Sequence, residues 1–136
     1  FLMQINGSIY TFELWLEKLT FDNIFLLSVT ILIITSLLSG LIDNAPVTII
    51  FLPIIDILTR NTQFDLLPLM IAFVLGINLG GNFLPQGSAA DMTTLELSQK
   101  FNVEGISYKR LTKIGGLFAL LHIILGVVYL FFIIFI

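Results

Sequence analysis

SGLIDNAPVT, Ser39 to Thr48, sets a carboxylate, an amide, a proline and two hydroxyls between two apolar runs, Ile24 to Leu38 and Ile49 to Leu58. Such a cluster is out of place in oil. An ionised Asp at the centre of a bilayer costs roughly 2.5 to 3.5 kcal/mol on insertion scales, so a polar group at that depth faces a protein interior or a water-filled cavity and usually serves a function. Gly40 accepts any backbone geometry and Pro46 lacks an amide donor, so together they predict a turn or an unwound stretch. Broken backbone at membrane depth persists only where protein or a cavity covers it, because unsatisfied peptide groups in lipid are costly. The stretch is therefore expected to form a substrate or ion site.

The surrounding composition supplies the bilayer. Of 136 residues, 57% are hydrophobic and 11% charged, and the mean hydropathy of +1.06 exceeds that of ordinary soluble domains. An all-α, multi-pass integral protein of the cell membrane is the expectation. Thirteen Phe and endings such as GVVYLFFIIFI give apolar runs whose length matches a hydrocarbon core about 30 Å thick. The opening FLMQINGS lacks the basic start and apolar core of a signal peptide. Because the chain begins at Phe1 and not at Met, an upstream part is expected. With no cysteine there is no disulfide and no thiolate ligand, and a net charge of −3 with six basic residues argues against nucleic acid.

Outward from the central stretch, the chain divides into five segments. Residues 1–22 hold a connector in which Tyr10 to Leu19, YTFELWLEKL, places Phe12, Trp15 and Leu19 near one helical face. It reads as a helix lying in the membrane interface or as a plain amphipathic linker. Residues 23–58 form two apolar arms around SGLIDNAPVT. A spanning helix needs about 20 residues, so the short arms predict a re-entrant hairpin, with a single span to about Ile42 followed by a second as the alternative. Thr59 to Asp65 is a polar turn. Residues 64–100 read as a discontinuous transmembrane helix: Leu66 to Leu79 is apolar, GGNFLPQGSAAD from Gly80 to Asp91 has too many breakers to stay helical, and Ala89 to Lys100 resumes after Ser88 as N-cap. Residues 101–113 are a loop or surface helix which, with Lys100, holds most of the basic residues and so lies in the cytoplasm by the positive-inside rule. Residues 114–136 are the last span, Gly115 to Ile136. The C-terminus is then outside, and so are Thr59 to Asp65 and the mouth of the hairpin.

Two interrupted helices at similar depth follow the general plan of secondary transporters, where half-helix N-termini present partial positive charge and free carbonyls meet cations. The restarts at Pro46 and Ser88 each supply such an end. Asp43 and Asp91 are the leading candidates for ion binding, because a desolvated carboxylate favours a proton and a nearby cation competes for the same oxygens. Asn82, Gln86 and Ser88 are further potential ligands. Structural alternatives stand beside these. Asp91 also fits a helix cap, Asn44 and Asn82 fit loop hydrogen bonding, and Asp56 and Asp65 fit solvated positions by the outer turn. His122 fits a proton relay or, more simply, a buried histidine with a partner or one at the lipid interface. Gly115, Gly116 and Gly126 fit helix packing.

SGLIDNAPVT, then LGGNFLPQGSAAD, then SYKRLTKIG and a final apolar span, taken in that order from Thr30 to Ile136, resemble the C-terminal half of the ion transporter superfamily. It includes arsenite efflux permeases, sodium/proton antiporters of the NhaD type and the melanosomal P protein, with citrate and dicarboxylate transporters as more distant relatives. The resemblance implies a two-repeat inverted fold, each repeat holding a re-entrant hairpin and a discontinuous helix, with substrate bound between the hairpin tips. Ser39, Asp43, Asn44, Pro46 and Thr48 match the hairpin-tip motif. Gly80, Gly81, Asn82, Pro85, Gly87 and Ser88 match the break, and Asp91 departs from it, since relatives often carry an uncharged residue there. Na⁺ would sit at Asp43, Asn44 and Asn82.

The expected function is secondary active ion transport, not enzyme catalysis, with cation/proton exchange by alternating access first. Arsenite or antimonite efflux comes next, since Ser39, Thr48, Asn44 and Asn82 offer hydroxyls and amides. Organic anion symport is third because neither motif has a nearby Arg or Lys, and a non-transporting membrane subunit is the contrasting class. No cofactor is implied beyond Na⁺ or H⁺ as transported or coupling ion. The implied partners are the lipid bilayer and a second repeat, supplied by the same polypeptide or by another chain, a homodimer included, with no nucleic acid.

Overall fold

The computed structural model describes residues 23–136 and, before them, Gly7, Tyr10, Thr11 and Leu14. The helix expected from Tyr10 to Leu19, and with it the 1–22 connector, otherwise lies outside the described residues. Among the described residues the ordered elements are all helical. They are α1 (Ile24–Leu41), α2 (Asn44–Thr62), α3 (Leu66–Gly80), a 3₁₀ turn (Pro85–Gly87), α4 (Ala89–Lys100) and α5 (Tyr108–Phe135).

Short polar side chains start each helix. Asn23 accepts from the Leu26 amide for α1 at 3.1 Å, Asp65 from Leu67 for α3 at 3.2 Å, Ser88 from Asp91 for α4 and Ser107 from Arg110 for α5 at 3.3 Å each. These caps satisfy amide groups that the first helical turn leaves free. At the other end of α2, Gln63 takes the left-handed conformation (φ 58°) and its amide closes onto the Thr59 carbonyl, stopping the helix.

The core lies where α1, α2 and α3 converge, with one contribution from α5. Leu27, Ile31 and Leu32 meet Val47, Phe51, Ile54 and Ile55 on one side and Leu69, Ala72 and Phe73 on another, and Leu130 closes the cluster. The rings of Phe51 and Phe73 stack with centroids 6.3 Å apart. The closest helix pair is α1 with α3, and small residues allow it. A Cβ on Gly76 would run into Thr35 Oγ1 and the Leu32 carbonyl, and one on Gly80 into the Ser36 backbone. This is small-residue packing in which backbones approach without side chains between them. α5 lies on the outside of this pair, with Gly126 against Leu32 and Phe25 against the rings of Phe131 and Phe135. Its other face, including Leu117, Leu121, Ile124, Leu125 and Phe132, is exposed and apolar. α1 and α5 are both long and apolar enough to cross a bilayer.

Several boundaries differ from the sequence expectation, each for a local reason. The first break falls at Ile42 and Asp43 and not at Gly40 and Pro46. Gly40 stays helical because its missing side chain makes room for Phe83 and the Gly80 carbonyl. Pro46 is the third residue of α2, where its absent amide would have had no helical acceptor. The arms around the break are 18 and 19 residues long, or about 27 Å and 28 Å at 1.5 Å per residue, so length alone does not select a hairpin. α2 runs on through Thr59 to Thr62, whose hydroxyls bond back to carbonyls four residues earlier, which shortens the polar turn to residues 63–65. The last helix starts at Tyr108, seven residues before Gly115, because Ser107 caps it there.

Candidate functional site

The two motifs meet at a buried junction. Ser39, fully buried in the last turns of α1, places Oγ 2.6 Å from the carbonyl oxygen of Ile77 and 2.5 Å from Asn44 Oδ1. A single hydroxyl hydrogen serves one acceptor. With that hydrogen on the Ile77 carbonyl, Asn44 is satisfied by turning its NH₂ towards Ser39, an exchange of amide N and O that leaves the atomic positions unchanged. Gly81 completes the junction, since a Cβ there would lie 3.7 Å from both Asn44 Oδ1 and Ser39 Oγ. The end of α1, the first residue of α2 and the end of α3 are thus tied at one point. Gly87 lies against the same turn of α1, where a Cβ would stand 2.6 Å from the Ser39 carbonyl oxygen. Pro85 is buried beside it.

The remaining motif residues lie around this junction. Asp43 is exposed at the start of α2 and accepts from the Asn44 amide at 2.7 Å. Thr48, half-buried, donates to the Asn44 carbonyl at 2.8 Å. Pro46 is exposed. Ser88 caps α4, so the capping role weighed for Asp91 belongs to Ser88, and Asp91 stands in the first turn. Gln86 accepts a hydrogen bond from Tyr108 Oη at 2.5 Å, linking the 3₁₀ turn to the start of α5.

Asn82 and Asp91 face another direction. Both line a cavity of about 280 Å³ whose far wall is α5, with Ile114, Gly115, Phe118 and His122. The Asn82 carbonyl is also what a Cβ on Gly115 would strike, while Gly116 and Gly126 make ordinary or tight packing contacts, so these three glycines serve packing. The side chains of Asp43, Asn44 and Asn82 are not brought to one point: Asp43 accepts from the backbone amide of Asn44 at the exposed helix start, while the Asn44 side chain belongs to the junction and Asn82 lines the cavity. Among the described residues no three His, Cys, Asp or Glu side chains gather as a metal site. Away from the site, Asp56 forms an exposed ion pair with Arg60 at 2.9 Å.

Two features escaped the sequence reading. The interlock of Thr35 and Ser36 with Gly76 and Gly80 was present as small residues spaced by four, Ser36 to Gly40 and Gly76 to Gly80. The histidine with a satisfied partner is corrected: Nδ1 of His122 is buried without a hydrogen-bond partner among the described residues.

The sequence profile of a family described as citrate transporter matches residues 2–136. The P protein of Mus musculus is 32% identical over 104 residues, which cover 75% of this chain and 12% of the relative. The P protein of Sus scrofa is 29% identical over 99 residues, covering 71% of this chain and 12% of that relative. The chain thus matches only about one eighth of the length of these curated relatives. No solved structure matches.

Proposed function

We propose a function from the premise that this chain belongs to the citrate transporter family, a family of transporters and not of enzymes, within the ion transporter superfamily that its motifs resemble. It serves as one repeat of a secondary active transporter that exchanges a cation for protons by alternating access. The observation that carries this is the junction of Ser39, Asn44, Ile77 and Gly81. It fixes two helix interruptions against each other and sets the starts of α2 and α4 beside them, each with its own carboxylate, Asp43 and Asp91. A helix N-terminus carries about half a positive charge, so a full carboxylate at each start leaves the local field negative and suits a cation. On this reading α1 and α2 are the arms of a re-entrant hairpin, α3 and α4 the halves of a discontinuous helix, and α5 a span facing lipid. A second repeat, in the same polypeptide or another chain, completes the site.

The family description favours a second reading, symport of an organic carboxylate such as citrate. No Lys or Arg lines the junction, so a carboxylate would enter with a cation that meets Asp43 or Asp91. Reconstitution of the full polypeptide into vesicles tests both, with fluxes of Na⁺, Li⁺, arsenite and citrate measured in parallel. Exchange predicts that Asp43→Asn lowers Na⁺ or Li⁺ flux at least about tenfold, equivalent to about 1.4 kcal/mol. Unchanged cation flux in that variant would sink the exchange reading, and citrate uptake without any cation requirement would sink both.

A further inference from the structure

Four of the six Lys and Arg of the chain fall between residues 100 and 113, at Lys100, Lys109, Arg110 and Lys113, against a single acid, Glu104. The stretch therefore carries +3 in a chain whose net charge is −3. All four bases are exposed, and among the described residues none has an acidic partner. Lys100 lies over the Phe101 ring, 5.9 Å from its centroid, and Arg110 Nη1 donates to the Gly105 carbonyl at 3.1 Å. These contacts hold the two side chains without neutralising them. Lys109 and Lys113 stand one turn apart on α5, where like charges repel, and the start of the helix adds its own partial positive charge. Such a cluster gains from an anion.

The length of α5 sets the depth of the cluster. Its 28 residues measure about 42 Å. Without the six from Tyr108 to Lys113, the apolar remainder from Ile114 to Phe135 measures about 33 Å, close to a hydrocarbon core of about 30 Å. Those six residues then reach about 9 Å beyond the core, across a headgroup layer of roughly 5 to 7 Å. Lys109, Arg110 and Lys113 are thereby level with the lipid phosphates. Beside them lies a cavity of about 340 Å³, lined by Glu104 and Arg110 and, one turn nearer the core, by Leu111 and Ile114. A cation above an apolar wall has the order of a phospholipid, head over tail.

We propose that this collar binds the headgroup of an anionic phospholipid, with the phosphate on Arg110, the glycerol and first acyl carbons along Leu111 and Ile114, and Lys109 and Lys113 supplying further positive charge. The inference rests on the reading of α5 as a membrane span. Guanidinium suits the contact because its planar fork donates to two phosphate oxygens at once, and apart from the bond to Gly105 its donors meet no acceptor among the described residues. The net charge selects the lipid class. A phosphatidylcholine or phosphatidylethanolamine phosphate carries its own cation, which the collar repels, whereas an uncompensated phosphate meets a surplus that Glu104 reduces without reversing. Each Lys or Arg held near an anionic lipid surface strengthens binding about fivefold.

The test is native mass spectrometry of the full polypeptide in detergent, titrated separately with phosphatidylglycerol, phosphatidylethanolamine and phosphatidylcholine. Wild type is expected to bind phosphatidylglycerol at least about tenfold more tightly than either zwitterionic lipid. Replacing Lys109, Arg110 and Lys113 together by Gln is expected to reduce that preference at least about fivefold. Because Arg110 also holds the Gly105 carbonyl, the double variant Lys109→Gln with Lys113→Gln keeps this loop bond and is expected to reduce the preference at least about twofold. Arg60→Gln is the control, since Arg60 is already paired with Asp56, and is expected to leave the preference unchanged. Equal affinities for the three lipids in wild type, an unchanged preference in the double variant, or the same loss in Arg60→Gln each overturns the proposal. Flux plays no part in the measurement, so a wild-type protein that moves none of Na⁺, Li⁺, arsenite or citrate defeats the transport reading alone.

Discussion

Replacing Gly80 by Ala adds one methyl at the tightest approach of α1 to α3. The new Cβ would enter the van der Waals envelope of the Ser36 carbonyl oxygen, Cα and carbonyl carbon. These are backbone atoms inside a helix, which no rotamer change moves. The helices must part, and one turn earlier Gly76 holds the same pair together against Thr35. Overpacking costs typically 1–3 kcal/mol, and a rigid receiving surface places this case near about 3 kcal/mol. Ala returns about 1 kcal/mol in helix propensity. The net loss is about 2 kcal/mol, roughly thirtyfold in the folded population. Gly116→Ala is the matched control, because the nearest atom to its Cβ is the Phe83 carbonyl oxygen at 3.9 Å, an ordinary contact. That variant keeps only the propensity gain of up to about 1 kcal/mol. Thermal unfolding of the full polypeptide in detergent, followed by circular dichroism, should rank Gly116→Ala at or above wild type and Gly80→Ala clearly below. If Gly80→Ala melts with the wild type, or if both variants fall together, the close α1–α3 packing is wrong.

Two further outcomes follow from individual bonds. Ser39→Ala removes the hydroxyl that holds the Ile77 carbonyl and the Asn44 amide, so a loss of about 1–3 kcal/mol is expected, read as a lowered midpoint in the same unfolding assay; a midpoint equal to wild type contradicts the junction. Arg60→Gln breaks an ion pair whose side chains are 75% and 59% exposed, so unfolding should shift by no more than about 0.5 kcal/mol, and a larger loss would mean that Arg60 has a partner other than Asp56.

How much was legible depended on whether the deciding force was local. The second break was readable because Gly80, Gly81, Pro85 and Gly87 crowd a few residues and Ser88 is a cap by its own chemistry. The apolar length of α5 was equally plain, but its start was not. Tyr108 to Lys113 reads as a loop or a surface helix separate from the span until the Ser107 cap and the bond from Tyr108 to Gln86 show one helix starting there. The first break was misplaced by two apparent breakers. Gly40 is glycine because another helix presses on it, and Pro46 falls in a first turn that tolerates it. Both facts are tertiary or positional, invisible to a count of breakers. The joining of Ser39 to Ile77 spans 38 residues of sequence, and no local pattern announces it. His122 is an instance of the same limit. A lone histidine in an apolar helix fits a relay, a buried partner or the lipid interface alike, and nothing local shows that the break places Asn82 and Asp91 in the same cavity.

The division of the motif residues into two groups bears on how such a site moves an ion. Ser39, Asn44, Ile77 and Gly81 are mutually bonded or in contact, and Gly87 is pressed on the Ser39 backbone. These polar groups are already satisfied, so their removal loosens a joint before it removes a ligand. Asp43, by contrast, spends one oxygen on the adjacent amide and is otherwise exposed, and Asp91 lines a cavity. A carboxylate with unfilled acceptor capacity is the kind of group that exchanges partners. On the exchange reading proposed above, the junction would be the rigid frame and the two carboxylates the exchangeable part. Each carboxylate sits at a helix start whose partial positive charge is smaller than its own charge. Under the proposed exchange reading, this uncompensated negative charge is what would draw a cation to either carboxylate.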